Sequence, residues 1–241
     1  MKVAVCVSGA PRSGVNNRDL RRNYDNLKIN FPDADFYYGS WKGYESIIEK
    51  YFRDFAVEFF DEPKMHYHPF IDIEVAKESG KLAKAVRQVK INPKFKETSS
   101  HQTKQILAHC KLVSTLPQKY DIIVRCRYDT LTYRQAMFGQ YVKDSYQNKR
   151  AIGFACLSIS DSGFTKIQEQ RGNNYHNHFL FDQLIIHHND LLDIDRVYKL
   201  HEEKKLIAAE YGWWQILSGD NNHRCISGWA NPDKSVVSTF R

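Results

Sequence analysis

Short apolar runs alternate along the chain with longer stretches in which apolar residues recur every three or four positions. The short runs have the length and content of buried strands, and they occupy residues 3–7, 34–38, 56–60, 120–126, 151–159 and 224–227. The longer stretches predict helices at residues 18–31, 44–51, 98–116, 179–187, 191–199 and 207–217, and within 73–89. Such alternation predicts an α/β fold with a mostly parallel central sheet flanked by helices, and a helical C-terminal part.

The composition is that of a globular protein that folds without crosslinks. Of 241 residues, 42% are hydrophobic and 26% are charged, which excludes the disordered and collagen-like classes. The five cysteines are odd in number and form no C-x-x-C pair, so we expect reduced thiols in a reducing compartment. The apolar run at residues 3–7 is too short for a secretory leader, and no apolar segment reaches about 18 residues. We therefore expect a cytoplasmic chain without a membrane span.

Basic residues outnumber acidic ones along the chain. Lys and Arg total 35 against 28 Asp and Glu, which gives a formal net charge of +7. A basic excess fits a partner that carries phosphate, such as a nucleic acid, an anionic membrane surface or a nucleotide. Ligands of mostly parallel sheets bind beyond the carboxyl ends of the strands, so the residues that follow each predicted strand carry the functional information.

The loop after the first predicted strand combines small residues with one arginine. Ser8 and Gly9 allow backbone N–H groups to approach an anion, and Arg12 adds positive charge. Val15 and Asn16 stand where a P-loop requires Lys and Ser or Thr, which argues against a P-loop NTPase. The alternative to a ligand-binding loop is a tight turn with an exposed arginine.

Aromatic residues gather at the end of the second predicted strand. Tyr38 and Trp41 lie where a ring can stack on a base or a sugar. The same rings can pack in the core instead, and the sequence pattern does not choose between these two roles.

The strand at residues 120–126, with the sequence YDIIVRC, leads directly into charged residues. If the strand continues, alternation predicts that Arg125, Arg127 and Asp129 share one face. Buried charges are costly without partners. A diphosphate with a divalent metal would satisfy all three side chains, with the metal on Asp129. The alternative is an internal Arg–Asp ion pair that closes the strand.

Three short motifs together resemble those of an enzyme family. They are S-G-x-x-R at residues 8–12, D-x-F/Y-x-x-x-W at 35–41 and an approximate Y-D-x-V-x-R-x-R-x-D at 120–129. On these residues the chain resembles small viral and bacterial nucleotide-sugar glycosyltransferases of the GT-A fold. The segment HQTKQ at residues 101–105 is similar to a helix that often faces the donor in such enzymes. The resemblance implies one domain, with a donor half at 1–130 and an acceptor half at 131–241.

The same resemblance implies the ligands. The donor would be a nucleoside-diphosphate sugar, with UDP as the expected nucleotide, and Asp129 would bind Mn²⁺ or Mg²⁺; Arg127 stands where the usual D-x-D motif has its first acid. The resemblance assigns donor binding to Ser8, Gly9, Arg12, Tyr38, His101, Lys104, Gln105, Arg125, Arg127 and Tyr128. The acceptor would be a carbohydrate or another hydroxyl compound, and no nucleic acid partner is expected.

Two carboxylates are candidates for the base that activates the acceptor hydroxyl. Asp182 lies in an F-D-Q sequence and Glu210 begins an E-x-x-x-x-x-x-L helix, and both resemble the family's acceptor side. The alternatives are a helix cap or ion pair for Asp182 and a solvated helix charge for Glu210.

Three other functions compete with glycosyl transfer. The sequence APRSG at residues 10–14 resembles the phosphosulfate loop of sulfotransferases, although Val15 and Asn16 depart from that motif. Basic charge with many tyrosines permits nucleic-acid binding, although no recognition motif supports it. The incomplete D-x-D motif also permits a sugar-binding protein without catalysis.

Overall fold

The computed structural model describes residues 1–11, 17–51, 57–65, 94–132, 135–154, 180, 182–207, 209–218, 225–228 and 237–239. The predicted helix within 73–89 and the last part of the predicted strand at 151–159 lie outside the described residues.

Strands and helices alternate in the N-terminal half of the described residues, as the sequence pattern predicts, and less regularly after β4. The strands are β1 (Val3–Ser8), β2 (Asp35–Trp41), β3 (Val57–Phe60), β4 (Ile122–Cys126), β5 (Thr130–Thr132), β6 (Ala151–Phe154), β7 (Leu184–His188), β8 (Cys225–Gly228) and β9 (Val237–Thr239). The helices are α1 (Asn17–Asn30), α2 (Glu45–Tyr51), α3 (Lys94–Ser114), α4 (Gln135–Asn148), α5 (Ile194–Glu202) and α6 (Ala209–Leu217).

Seven strands form one sheet in the order β3-β2-β1-β4-β7-β6-β8. The pairs β1–β2, β1–β4, β2–β3 and β6–β8 are parallel, and β7 pairs antiparallel with both β4 and β6. β5 and β9 form a separate two-stranded sheet. The predicted α/β class with a mostly parallel, helix-flanked sheet is confirmed. Strands from both predicted halves of the chain, 1–130 and 131–241, contribute to the large sheet.

The predicted helix at residues 179–187 is wrong. Leu184–His188 form β7, and all five side chains are buried. Short apolar runs are ambiguous between a buried helix and a buried strand. Here the choice is made by backbone pairing on both sides, because β7 lies between β4 and β6. Helix α4 was not predicted from the sequence pattern.

Two hydrophobic layers cover the faces of the large sheet. On one face, Leu20, Tyr24 and Leu27 of α1 pack with alternate sheet residues such as Val5 and Val124. These three residues lie on one face of α1, because side chains three and four positions apart share a helix face. On the opposite face the buried residues come largely from α3, α5 and α6, among them Ile106, Val197, Trp213 and Ile216, and they pack with Cys6 and Ile123. No helix among the described residues is long and apolar enough to cross a membrane.

Close packing of α6 depends on a glycine. A Cβ atom on Gly212 would lie 2.3 Å from the carbonyl oxygen of Ile207 and 2.6 Å from Cδ1 of Ile106. One of these neighbours is backbone, which cannot rotate away. Gly139 of α4 is also helical, yet a Cβ atom there would have no heavy atom within 4 Å.

We expect Gly212→Ala to lower the free energy of unfolding by about 1–3 kcal/mol, because the added methyl group overpacks the contact with Ile207. The matched control is Gly139→Ala. Alanine is the better helix former, so that variant should be more stable than the wild type by about 0.5–1 kcal/mol. Urea unfolding measures both effects, and a change of the same sign in the two variants would contradict the packing argument.

Candidate functional site

The carboxyl ends of β2, β1 and β4 lie side by side, because these three strands are neighbours and parallel. β1 ends at Ser8 and β4 ends at Cys126. The residues that follow them therefore meet at one edge of the sheet, which is where ligands bind in this type of architecture. Arg12, which the sequence analysis assigned to this edge, lies outside the described residues.

Gly9 turns the chain out of β1 and lies under the side chain of Gln105. Its φ of +102° is a backbone conformation that favours glycine. The Gly9 N–H donates to the carbonyl of Gly39 at 3.1 Å, and the Ser40 hydroxyl donates to the Gly9 carbonyl at 3.0 Å. A Cβ atom at Gly9 would lie 1.7 Å from Oε1 of Gln105. The structure thus brings Gly9 and Gln105, two predicted donor-binding residues, into direct contact.

Tyr38 and Tyr128 are core residues in this structure. Tyr38 is fully buried, and its ring lies 6.4 Å from that of Tyr24 on the α1 face of the sheet. The Tyr128 hydroxyl donates to the carbonyl of Gly39 at 3.2 Å, and the ring is 1% exposed. Neither ring offers a stacking surface to a ligand, contrary to the expectation for donor binding. Trp41 is likewise largely buried and packs in the hydrophobic layer of the opposite face, whereas Phe36 and Tyr37 of β2 are only partly buried.

Arg127 joins two carboxylates at the end of β4. Its Nε and Nη2 donate to the two oxygens of Asp129 at 2.8 and 2.7 Å, and Nη1 donates to Oδ2 of Asp182 at 3.3 Å. All three residues are buried. The strand itself ends at Cys126, so the predicted alternation does not extend to Asp129. The internal ion pair, which the sequence left open as an alternative, is present.

Arg125 is a buried cation beside this ion pair. The residue is fully buried, and none of its three guanidinium nitrogens has a hydrogen-bond partner among the described residues. The guanidinium carbon lies 4.8 Å from the ring centroid of Trp213, a cation–π contact. Burial lowers the pKa of Arg125 to about 10, and Asp182 opposes that shift. Arg125 therefore stays charged at neutral pH with unsatisfied N–H donors, an arrangement that suits an anion nearby.

A pair of buried histidines, His109 and His187, lies on the same face of the sheet, and the sequence pattern predicts this pairing for neither residue. The Nε2 atoms of His109 and His187 are 3.4 Å apart, and Nδ1 of His187 lies 3.1 Å from the carbonyl oxygen of His188. A neutral His187 that donates from Nδ1 accepts at Nε2, so His109 donates between the rings. The only sequence signal was that each histidine interrupts an apolar pattern, in α3 and in β7.

Burial keeps both rings neutral. It lowers the pKa of His187 to about 4. It also lowers the pKa of His109 well below its ordinary value, and the nearby His187 and Arg125 add to that effect. The ring of His109 contacts Trp213 edge-on, with centroids 5.4 Å apart. Arg125, Trp213 and the histidine pair thus form one buried cluster below the ion pair.

The remaining predicted site residues are more scattered. Lys104 of α3 forms an ion pair of 2.7 Å with Glu62, which follows β3. His101 is exposed on the same helix. The backbone of Glu210 belongs to α6, but its side chain is not among those described. The structure therefore groups Arg125, Arg127, Asp129 and Asp182 at one point, without testing the role of Glu210.

A divalent metal at Asp129 does not fit these residues as they lie. Both Asp129 oxygens accept hydrogen bonds from Arg127, so a cation would lie against a guanidinium of the same sign. Within the described part of the chain, no group of three or more His, Cys, Asp or Glu residues is arranged to hold a metal ion.

Neither a protein-family model nor a curated protein matches the chain. Solved structures with a similar course of the chain include the 4-diphosphocytidyl-2C-methyl-D-erythritol synthase of Anaerococcus prevotii DSM 20548. That protein is 8% identical, with a TM-score of 0.49 over 94% of this chain and 86% of the other. A glycosyltransferase involved in glycosylation of the major capsid of PBCV-1 is 8% identical, with a TM-score of 0.45 over 99% and 92%.

S. aureus TarS 1-349 in complex with UDP-GlcNAc is 10% identical, with a TM-score of 0.46 over 100% of this chain and 59% of the TarS chain. At such identities and TM-scores, none of these similarities transfers a function to this chain.

The buried histidine pair predicts a loss of stability in acid. His187 has a folded-state pKa of about 4, below its ordinary value of 6.5, so the unfolded chain binds a proton first as the pH falls. Above about pH 6.5 the neutral ring of His187 contributes about 3 kcal/mol to the free energy of unfolding. This contribution is lost as the pH falls towards about 4. We expect His187→Gln to flatten the pH dependence of the free energy of unfolding in this window, measured by urea denaturation.

The control is His101→Gln, which replaces an exposed histidine and should keep the wild-type pH dependence. If the free energy of unfolding of the His187 variant changes with pH as it does in the wild type, this ring is not held neutral in the folded state.

Proposed function

We propose that the chain is a glycosyltransferase that moves a sugar from a nucleoside-diphosphate sugar to a hydroxyl group of an acceptor. The observation that carries the proposal is a guanidinium group, at the carboxyl end of β4, whose N–H donors have no partner among the described residues. Arg125 is fully buried without a hydrogen-bond partner among the described residues, and Arg127 lies directly after the same strand. Guanidinium groups bind phosphate oxygens well, and a diphosphate offers several such oxygens at once.

The turn at Gly9 supports a phosphate-binding role for this edge. The backbone of Gly9 closely approaches the side chain of Gln105. Lys104 is the residue immediately before Gln105 in α3. The side-chain amide of Gln105 above the glycine turn supplies hydrogen-bond donors for phosphate or sugar oxygens, and the ammonium group of Lys104, on the same helix, pairs with Glu62 nearby. The family resemblance of the motifs at residues 8–12 and 120–129 points to the same ligand.

A groove beside the ends of β2 and β3 supports the presence of a small-molecule site. Its volume is about 460 Å³, within the range of about 300–1,000 Å³ that is common for ligand sites. It is lined by Trp41, Lys42, Phe60, Leu107, Lys111 and Tyr198, among others. Neither Arg125 nor Arg127 lines this groove, so it would take only the sugar or nucleoside part of such a donor.

The proposed reaction is a substitution at the anomeric carbon of the sugar. The acceptor oxygen forms a bond to that carbon, while the bond from the carbon to the diphosphate breaks and its electron pair leaves with the diphosphate. The acceptor proton passes to a carboxylate, for which Asp182 and Glu210 are the candidates. Positive charge fixed beside the leaving group stabilises the transition state, because negative charge develops there.

Nucleotide binding tests this proposal directly. We expect a nucleoside diphosphate, with UDP examined first and GDP in parallel, to raise the melting temperature of the chain. A ligand at one hundred times its Kd stabilises by about 2.7 kcal/mol. For a chain of this length that free energy corresponds to roughly 5–10 °C. Stabilisation only by adenosine 3′-phosphate 5′-phosphosulfate or only by single-stranded DNA would instead favour one of the competing functions.

A matched pair of lysine variants locates the binding site. Lys104→Met removes a cation at the proposed site and should weaken binding of the nucleoside diphosphate about tenfold, which is about 1.4 kcal/mol. Lys119 also pairs with a carboxylate, Asp190, at 3.3 Å, but it precedes β4 and so lies at the amino edge of the sheet. Lys119→Met should bind the nucleoside diphosphate as the wild type does. An equal loss of affinity in both variants would contradict a binding site at the carboxyl edge of the sheet.

A further inference from the structure

Arg127 occupies the space between two buried carboxylates at the proposed donor site. Its contact with Asp129 is bidentate, at 2.7 and 2.8 Å, whereas a single longer contact of 3.3 Å reaches Asp182. The side chain of Arg127 is 10% exposed, that of Asp129 3% and that of Asp182 10%. A short, bidentate and buried pair of this kind fixes the guanidinium in one orientation.

The charges at this point are already balanced. Arg125 and Arg127 supply two positive groups, and Asp129 and Asp182 supply two negative ones. The pKa of Arg125 responds to Asp182, Arg127 and Asp129 in addition to its burial, so the four charges act on one another. A divalent cation would add two further positive charges to a buried, neutral group.

Such a cation would also have to displace Arg127 from Asp129. Breaking a buried ion pair is strongly unfavourable, because it leaves an uncompensated charge in a low-dielectric environment. The guanidinium would then lie unpaired beside the metal and beside Arg125. Coulomb repulsion between these groups opposes that arrangement.

We propose that Arg127, rather than a divalent metal, is the cation that binds the donor diphosphate, so that binding and transfer proceed without metal. This inference rests on the proposed function. Asp129 holds the guanidinium in place, and the longer contact to Asp182 is the one that a phosphate oxygen replaces. Arg125 lies behind it as a second fixed positive charge. Arg127 is then a catalytic residue that stabilises the departing diphosphate, and Asp129 is its positioning residue.

Titration of the full chain with Mn²⁺ alone tests whether Arg127 or a metal ion occupies the space between Asp129 and Asp182. This test does not depend on any nucleotide. The signal of free Mn²⁺ in electron paramagnetic resonance reports binding. We expect wild type and Asp129→Asn to show the same weak, non-saturating response. We expect Arg127→Leu, which uncovers both carboxylates, to gain a saturable Mn²⁺ site. Saturable binding by the wild type that Asp129→Asn abolishes would overturn the inference.

Comparison of metal-free and metal-loaded conditions tests the diphosphate itself. In the wild type, UDP or GDP should raise the melting temperature equally in EDTA and in Mn²⁺. Arg127→Lys keeps the charge but loses the planar fork, and it should weaken this binding about tenfold or more, with circular dichroism confirming its fold. Binding that requires Mn²⁺ would overturn the inference, and the wild-type comparison needs no variant to fold.

The Mn²⁺ titration and the melting-temperature comparison together distinguish failure of the inference from failure of the proposed function. If no nucleoside diphosphate changes the melting temperature in either condition, the proposed function fails and Arg127 has no role in donor binding. The Mn²⁺ titration still decides, in that case, whether the carboxylate pair belongs to Arg127 or to a metal.

Discussion

The parallel pairing of β1 with β4 organises the rest of the molecule. It joins residues that are more than one hundred positions apart, with Val3 opposite Ile122 and Val7 opposite Cys126. Both strands are buried on two faces, so helices must cover each side of the sheet. Because the pair is parallel, the glycine turn after β1 and the charged residues after β4 emerge at the same edge. The candidate site exists only because of this register.

Two buried arginines at that edge, Arg125 and Arg127, are stabilised by different partners. Burial of a guanidinium is costly unless it has partners. Arg127 meets this requirement with Asp129 and Asp182, whereas Arg125 rests on the face of Trp213. Neighbouring His109 and His187 stay neutral, which avoids adding positive charge next to Arg125. The result is a buried cluster with little net charge, in which the guanidinium nitrogens of Arg125 have no hydrogen-bond partner among the described residues.

Glycine at two positions, 9 and 212, allows contacts that build the candidate site. Gly9 supplies a backbone angle that few other residues adopt and leaves room for Gln105. Gly212 lets α6 approach α3 closely enough for Trp213 to reach the buried arginine. Neither role can be read from the sequence alone, because each depends on an atom contributed by another helix or loop.

The sequence by itself determined the order of most strands and helices, the α/β class and the presence of charged residues after a buried strand. These properties follow from local periodicity and from the position of charges along one strand. Only the tertiary structure decided that Leu184–His188 form a strand, that Tyr38 faces the core and that Arg127 bridges Asp129 and Asp182. Each of these outcomes depends on contacts between distant segments, such as the 55 residues that separate Arg127 from Asp182, and local patterns carry no record of such contacts.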